Sequence, residues 1–352
     1  MDAKICLALP KAQVGGSFTF LRLFREYLSR EGISWTHDLG ADYDLLFFNS
    51  WTVPYGQVLA AKKRLPGLRV VQRVDGSAQD YGRRDGADWL QRDLNALADL
   101  SIFQSQYSYQ ATAERYQLIR QGGPIIYNPV DIEHFCPEGP VMRPKSGPRP
   151  RLICVGWSPN PRKGTWRIPL LAERYPEIDF MVVGTAKDLP PRPNLQTIPP
   201  QDHASLPQAL RSADAYLSLL ENDASPNVIT EALACGLPVL YLASGGVPEL
   251  VRGAGLAIHE GGEDLGEALA KILAEQARYQ GLARAVAVEH HRPDKVLGDY
   301  WAAMQNLDRR PLPSRWENGR AWMDQQAFIA RAQPPKWGRI LRGQQSLFKE
   351  RS

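Results

Sequence analysis

Short apolar runs alternate with amphipathic stretches along most of the chain. Ile5–Leu9 is the first run and reads as a buried strand. Gly15 and Gly16 follow, and then Phe18, Leu21, Phe24 and Leu28 recur at helical spacing up to about Arg30. The pattern continues with strands at Leu45–Phe48, Arg69–Val74, Leu100–Gln104 and Ile125–Tyr127, and with helices at Trp89–Ala98 and Gln106–Tyr116. It resumes with strands at Arg151–Gly156, Phe180–Val183, Asn194–Ile198, Asp214–Leu219, Val239–Leu242 and Leu256–Ile258. Helices are expected at Thr165–Tyr175, His203–Arg211 and Asp264–Ala277. Val296, Leu297, Tyr300, Trp301, Met304 and Leu307 form a last stripe over Pro293–Leu307. Strands that alternate with helices predict parallel, doubly wound α/β sheets.

One stretch breaks the pattern. Cys136–Pro150 holds Pro137, Pro140, Pro144, Pro148 and Pro150, which exclude a regular element and suggest an extended linker. The expected layout is therefore an N-terminal Rossmann-like domain at 1–136, a linker at 137–150 and a second Rossmann-like domain at 151–292. A helix at 293–308 and a tail at 309–352 follow. At 352 residues the chain is long enough for two cores.

Composition narrows the class. Hydrophobic content of 43% and charged content of 23% are those of a globular protein. A net charge of +4 is too weak to argue for a nucleic-acid partner. Cys6, Cys136, Cys154 and Cys235 show no CxxC pair and no metal-ligand spacing. Three of them sit in apolar patterns, so buried free thiols and a reducing compartment are expected. No apolar run is long enough to span a bilayer, and the N-terminus leads into a strand without a signal-peptide pattern, so a cytoplasmic location is expected.

Candidate chemistry concentrates in Glu221–Tyr241 (ENDASPNVITEALACGLPVLY). Ser225 is a favoured N-cap and Pro226 a favoured first helical residue, so a helix is expected to start there. Val228, Ile229, Ala232 and Leu233 form its apolar stripe, with Asn227 and Glu231 on the side away from it. A helix start offers unpaired N–H groups and partial positive charge, which suit a diphosphate, and Asp223 and Glu231 suit sugar hydroxyls. Alone, these signals are equally those of a well-capped surface helix. Arg162 and Lys163 precede another helix and offer cations for phosphate; alone they are ordinary surface charges. Gly15 and Gly16 would let backbone approach a ligand or simply make a tight turn. Asp75 ends a strand, where open α/β sheets bind ligands, but Asp75–Gly76 is also an ordinary turn pair.

Asp223 and Glu231 are separated by seven residues, and Glu231–Val239 reads EALACGLPV. This resembles the donor-binding signature of the retaining glycosyltransferases of family 4, with an Asp where the first acid is usually Glu. Lys163–Gly164 resembles that family's Lys-Gly pair, and Ser244–Glu249 (SGGVPE) its following loop; Asn128–Phe135 resembles the end of its first domain. The resemblance covers about residues 4–308. It implies a GT-B fold: two doubly wound Rossmann-like domains with parallel sheets facing a central cleft. It implies transfer of a sugar from a nucleoside-diphosphate sugar to a hydroxyl of a glycan, lipid or small molecule, without metal, cofactor or protein nucleophile. Glu231 would hold the ribose diol and Asp223 the donor sugar. Lys163, with Arg162, Pro226, Asn227 and Val228, would hold the diphosphate, with Gly15 and Gly16 close to the donor and Asp75 at a sugar or acceptor hydroxyl. The family's usual N-terminal histidine has no counterpart here.

Two other functions fit the same residues: a sugar-nucleotide isomerase on this scaffold, and a non-catalytic sugar-nucleotide-binding component of a carbohydrate-assembly complex. The tail has two readings of its own. From Arg309 to Ser352 it carries ten Arg/Lys against three Asp/Glu, with Trp316, Trp322, Phe328, Trp337 and Phe348 among them. That composition suits peripheral contact with an anionic membrane. It equally suits packing on the body, which is the preferred expectation.

Overall fold

The computed structural model describes residues 4–8, 16–120, 122–145, 147–156, 158, 160–184, 189–305 and 307–331. The chain forms two compact units, one of residues 1–126 and 299–352, the other of Tyr127–Gly298.

The first unit runs β1 (Ile5–Leu7), α1 (Gly16–Arg30), β2 (Trp35–Thr36), β3 (Leu45–Asn49), α2 (Tyr55–Arg64), β4 (Arg69–Val74), α3 (Ala87–Asn95), β5 (Leu100–Phe103) and α4 (Gln106–Tyr109). Its strands pair in parallel in the order β2-β1-β3-β4-β5. Ile125 contributes only an isolated bridge to Phe103 instead of a strand. One face of the sheet buries Cys6, Leu46, Phe48 and Val70 against Val58 and Ala61 of α2.

The second unit runs β6 (Arg151–Gly156), α5 (Ile168–Arg174), β7 (Asp179–Gly184), β8 (Leu195–Ile198), α6 (Leu206–Leu210), β9 (Ala215–Ser218), α7 (Asn227–Ala234), β10 (Val239–Leu242), α8 (Val247–Val251), β11 (Gly255–Ile258), α9 (Leu265–Ala274) and α10 (Gln276–His290). Its parallel strands lie in the order β11-β10-β9-β6-β7-β8. Both faces are covered, as a parallel sheet requires. Ile153 and Val155 point into one core with Met181 and Val183; Leu152 and Cys154 point into the other with Phe180 and Val182. Cys6, Cys154 and Cys235 are buried free thiols, each pushed up to about 12 by burial first of all.

Two expectations about the layout change. Residues 127–136 belong with the second unit, because Val130, Ile132 and Phe135 pack into the core that holds Ile153 and Val155. The proline-rich stretch has no regular element, yet it is no free linker. Its prolines lack donors, but its carbonyls accept from the second unit: Arg211 donates to Cys136 and Pro140, and Arg151 to Arg143. Lys145 adds an ion pair to Asp214 at 2.7 Å.

α11 (Pro293–Gln305) begins in the second unit and ends in the first. There Tyr300 packs edge-on against Phe20 and Phe47 and accepts a hydrogen bond from Arg73. The tail forms α12 (Arg315–Arg331), which buries Ala321 and Phe328 in the first unit, with Phe328 against Trp51.

Candidate active site

Counted within the second unit, the strand order is 3-2-1-4-5-6. Successive connections leave in opposite directions between β6 and β9, which opens a crevice at their carboxyl ends, where open α/β sheets bind ligands. The loops that follow these two strands carry Lys163 and Asp223.

The loop after β6 ends in a short turn, Pro161–Lys163, started by the Asn160 side chain, which accepts from the Arg162 N–H. Gly164 has φ 70°, and a Cβ there would lie 2.2 Å from the Leu219 carbonyl oxygen. Only glycine allows this approach, which holds the turn against the end of β9. The Glu221 N–H donates to the Arg162 carbonyl at 2.8 Å and fastens the two loops together. Lys163 Nζ then lies 2.8 Å from Asp223 Oδ2, with both side chains mostly buried. Arg162 is 3.7 Å from Glu221. Arg167, not singled out from the sequence, is closer to Glu221 at 2.6 Å and also pairs with Glu260.

Ser244–Glu249 backs this arrangement in a way the sequence does not suggest. Gly245 has φ 63°, and a Cβ there would lie 2.3 Å from the Asp223 carbonyl oxygen. Its close approach is therefore to Asp223's own backbone, and the Gly246 N–H donates to the same carbonyl at 2.9 Å. The Ser244 hydroxyl accepts from the Asn222 N–H, and Asn222 takes φ 55°.

α7 starts one residue later than its capping signals suggest. Pro226 occupies the cap position, no side chain caps the helix, and the Ser225 hydroxyl is buried without a partner. Asn128 does the bracing: its amide donates to the Asn227 side-chain oxygen at 2.7 Å and to the Ser225 carbonyl at 3.2 Å. Asn128 is itself held by buried His291, whose ring bonds its carbonyl oxygen. Asn128 was visible only as part of a motif; its partners lie about 100 and 160 residues away, beyond any local signal.

Glu231 is buried, although it lies off the helix's apolar stripe. α7 packs against α6, α8 and α10 as well as β9 and β10, so little of its surface is left in solvent. Among the described residues no hydrogen bond or ion pair to its carboxylate is found, and burial alone shifts it. Burial pushes it up to about 7. A carboxyl group accepts hydrogen bonds in either protonation state, and only the ionised form is acceptor alone, so the group suits a ligand with hydroxyls.

Asp75 and Gly16 belong to the other unit. Asp75 follows β4, half-exposed, and accepts from Arg73 at 3.2 Å and from the Asn49 amide; its own N–H donates to the Ser50 hydroxyl. Gly16 is the first residue of α1. Gly15 lies outside the described residues. His134, in the Asn128–Phe135 stretch, stacks on His203 at 4.4 Å and bonds its carbonyl oxygen, a structural role. Among the described residues, no three His, Cys, Asp or Glu side chains group as a metal site would require.

Two parallel, doubly wound units define a GT-B fold. The described residues superpose on sucrose-phosphate synthase from Thermosynechococcus elongatus with a TM-score of 0.67 at 16% identity, covering 85% of this chain and 98% of that one. Anabaena HepE in complex with UDP-glucose gives 0.61 at 16% identity, covering 86% and 100%. The sequence profile of Glycosyl transferases group 1 matches residues 149–275. A GDP-mannose-dependent alpha-mannosyltransferase of Mycobacterium tuberculosis is 30% identical over 275 residues, covering 70% of both chains. The chain belongs to the group 1 glycosyltransferases, and it is an enzyme of that class.

Proposed function

We propose that the chain transfers a hexosyl group from a nucleoside-diphosphate hexose to an acceptor hydroxyl of a glycan or lipid-linked molecule, with retention at the anomeric carbon. The mycobacterial relative is named for GDP-mannose, which supports a hexose carried on a nucleoside diphosphate. The observation that carries the reading is the Lys163–Asp223 pair at the β6/β9 crevice, with Asp223 eight residues before Glu231, which is buried and has no side-chain partner among the described residues.

In this reading Glu231 accepts from the ribose diol and Asp223 from the donor hexose. Lys163 and Arg162 face the diphosphate, together with the start of α7 at Pro226, Asn227 and Val228. Gly15 and Gly16 allow close approach in the other unit, and Asp75 takes an acceptor hydroxyl. The bond from the anomeric carbon to the diphosphate oxygen breaks and a bond to the acceptor oxygen forms on the same face. The acceptor proton passes to the leaving diphosphate. No metal and no protein nucleophile enters the scheme. Negative charge on the diphosphate grows as its bond to the sugar breaks, so Lys163 acts more strongly in the transition state than in the ground state.

Lys163→Ala should lower turnover at saturating donor by roughly 10²-fold, as removal of one oxyanion donor does. Glu231→Gln should weaken binding of the free nucleoside diphosphate by roughly 1.5–3 kcal/mol. Calorimetric titration of the diphosphate and steady-state rates measure both. Wild-type turnover in the first variant with normal diphosphate binding in the second would place the donor site elsewhere.

A further inference from the structure

Among the described residues, α12 is packed on one side only. Ala321 and Phe328 are buried, and the charged residues on the flank of that side are tied to the first unit: Arg320 to Asp93, Asp324 to Arg92 and Glu317 to Arg120. The opposite face carries Trp316, Trp322, Met323 and Ile329, which are 72%, 62%, 59% and 44% exposed. At 100° per residue these four lie within an arc of about 140°. Gly319, Gln326 and Ala330 lie in the same arc, and Arg315, the first residue of the helix, is the one charged residue at an angular position within it. Trp89 of α3 is also exposed, with Arg331 over its ring at 5.2 Å.

We propose that this face docks on an anionic lipid bilayer, with the helix lying in the plane of the interface. Two tryptophans on a solvent-facing helix side whose one charged position is an arginine at its first residue match the residue preference of the membrane–water boundary. The charge around the helix is complementary to anionic lipid. Residues 309–352 carry ten Arg/Lys and three Asp/Glu, a balance of +7, whereas the rest of the chain balances to 4 − 7 = −3. The basic charge is thus concentrated in the segment that holds the apolar face, and residues 332–352 continue it with Lys336, Arg339 and Arg342 around Trp337. Nothing in this mode of attachment crosses the bilayer: among the described residues no helix is long and apolar enough to do so. The proposal is independent of the donor-site reading.

The test uses the full chain with vesicles of phosphatidylcholine alone and of phosphatidylcholine mixed with phosphatidylglycerol. The native chain should sediment with the anionic vesicles, more weakly at high salt, and not with the neutral ones. The triple variant Trp322→Gln, Met323→Gln, Ile329→Gln replaces exposed groups with a good helix former, so its melting temperature should match the native one. Its partition onto anionic vesicles should fall by roughly tenfold or more. Deleting residues 332–352 should weaken binding and leave the remainder sensitive to the triple substitution. The proposal is overturned by absence of binding to anionic vesicles, by equal binding of native and triple variant, or by a deletion that alone abolishes binding. A native dimer in sedimentation equilibrium that the triple variant dissociates would also overturn it, since a second copy would then cover the face.

Discussion

Glu231 combines a structural penalty with the proposed binding role. Its carboxyl is raised by burial from the ordinary range to about 7, so the folded protein holds a proton there that the unfolded chain has already released. Between about pH 4.5 and 7 the native state binds more protons, and stability falls as pH rises through that window. Glu231→Gln removes the penalty. The variant should melt higher than the native protein at pH 8, by at most about 3 kcal/mol in stability, and the gap should close at pH 5. The same variant should bind nucleoside diphosphate more weakly, so melting curves and calorimetry on one protein read both effects. A variant less stable than native at pH 8 would mean that the carboxylate has a stabilising partner. The spacing of Asp223 and Glu231 was legible in the sequence because it is local. The burial of Glu231 was not, because it depends on how α6, α8, α10 and two strands pack round α7, which no local pattern shows.

At the scale of elements, the strands other than the two-residue β2 were legible to within two residues, since a parallel strand covered on both faces is a bare apolar run; Ile125–Tyr127 reads the same way but makes only a bridge. The helices that escaped notice did so for separate reasons, and in one of them a packed position is held by a charged residue. In α2 that residue is Lys62, buried with its Nζ 2.7 Å from Asp99 and bonded to the Leu97 carbonyl. α10 buries mostly small residues, Ala283 and Ala287 with Val286, which give no strong stripe. α12 mixes tryptophan with charge and reads as a tail, yet its packing side is real. The approach to it is anchored too, since Arg310 donates its backbone N–H to Asp99 and Arg309 donates to the Lys62 carbonyl. Asp99 therefore joins α2, β4 through the Val70 N–H, and the C-terminal segment. Asp99→Ala leaves Lys62 buried and unpaired and should cost about 3–5 kcal/mol, read by denaturant unfolding. Chain truncation before Arg309 should expose the surface around Trp51 and Ala61 and lower the melting temperature or cause aggregation. Unchanged stability in the truncated chain would mean that the C-terminal segment only rests on the surface.

The whole molecule consists of one continuous unit inserted into a discontinuous one. The α/β alternation made two sheets legible, but the boundary was read from prolines and so fell too late; packing of Val130, Ile132 and Phe135 decides it. The asymmetry is testable. Residues 127–298 expressed alone should melt cooperatively and bind nucleoside diphosphate, because their sheet, both cores and the Lys163, Asp223 and Glu231 side chains are all within that span. Residues 1–126 alone should stay insoluble or unfolded, lacking Tyr300, Ala321 and Phe328. A soluble, cooperatively melting 1–126 fragment would contradict this. The same connectivity sets an order of events on the ribosome. The half made first cannot be finished first: its aromatic cluster of Phe20, Phe24 and Phe47 waits for Tyr300, and α2 and α3 wait for α12. At about 5–20 residues per second, synthesis from residue 127 to residue 331 takes roughly 10–40 s. Throughout that interval the nascent N-terminal sheet presents an uncovered apolar surface, while the inserted unit can already close behind it. Chaperone demand during translation should therefore be highest for the N-terminal half, and a slow translation step after residue 298 should lengthen that exposure.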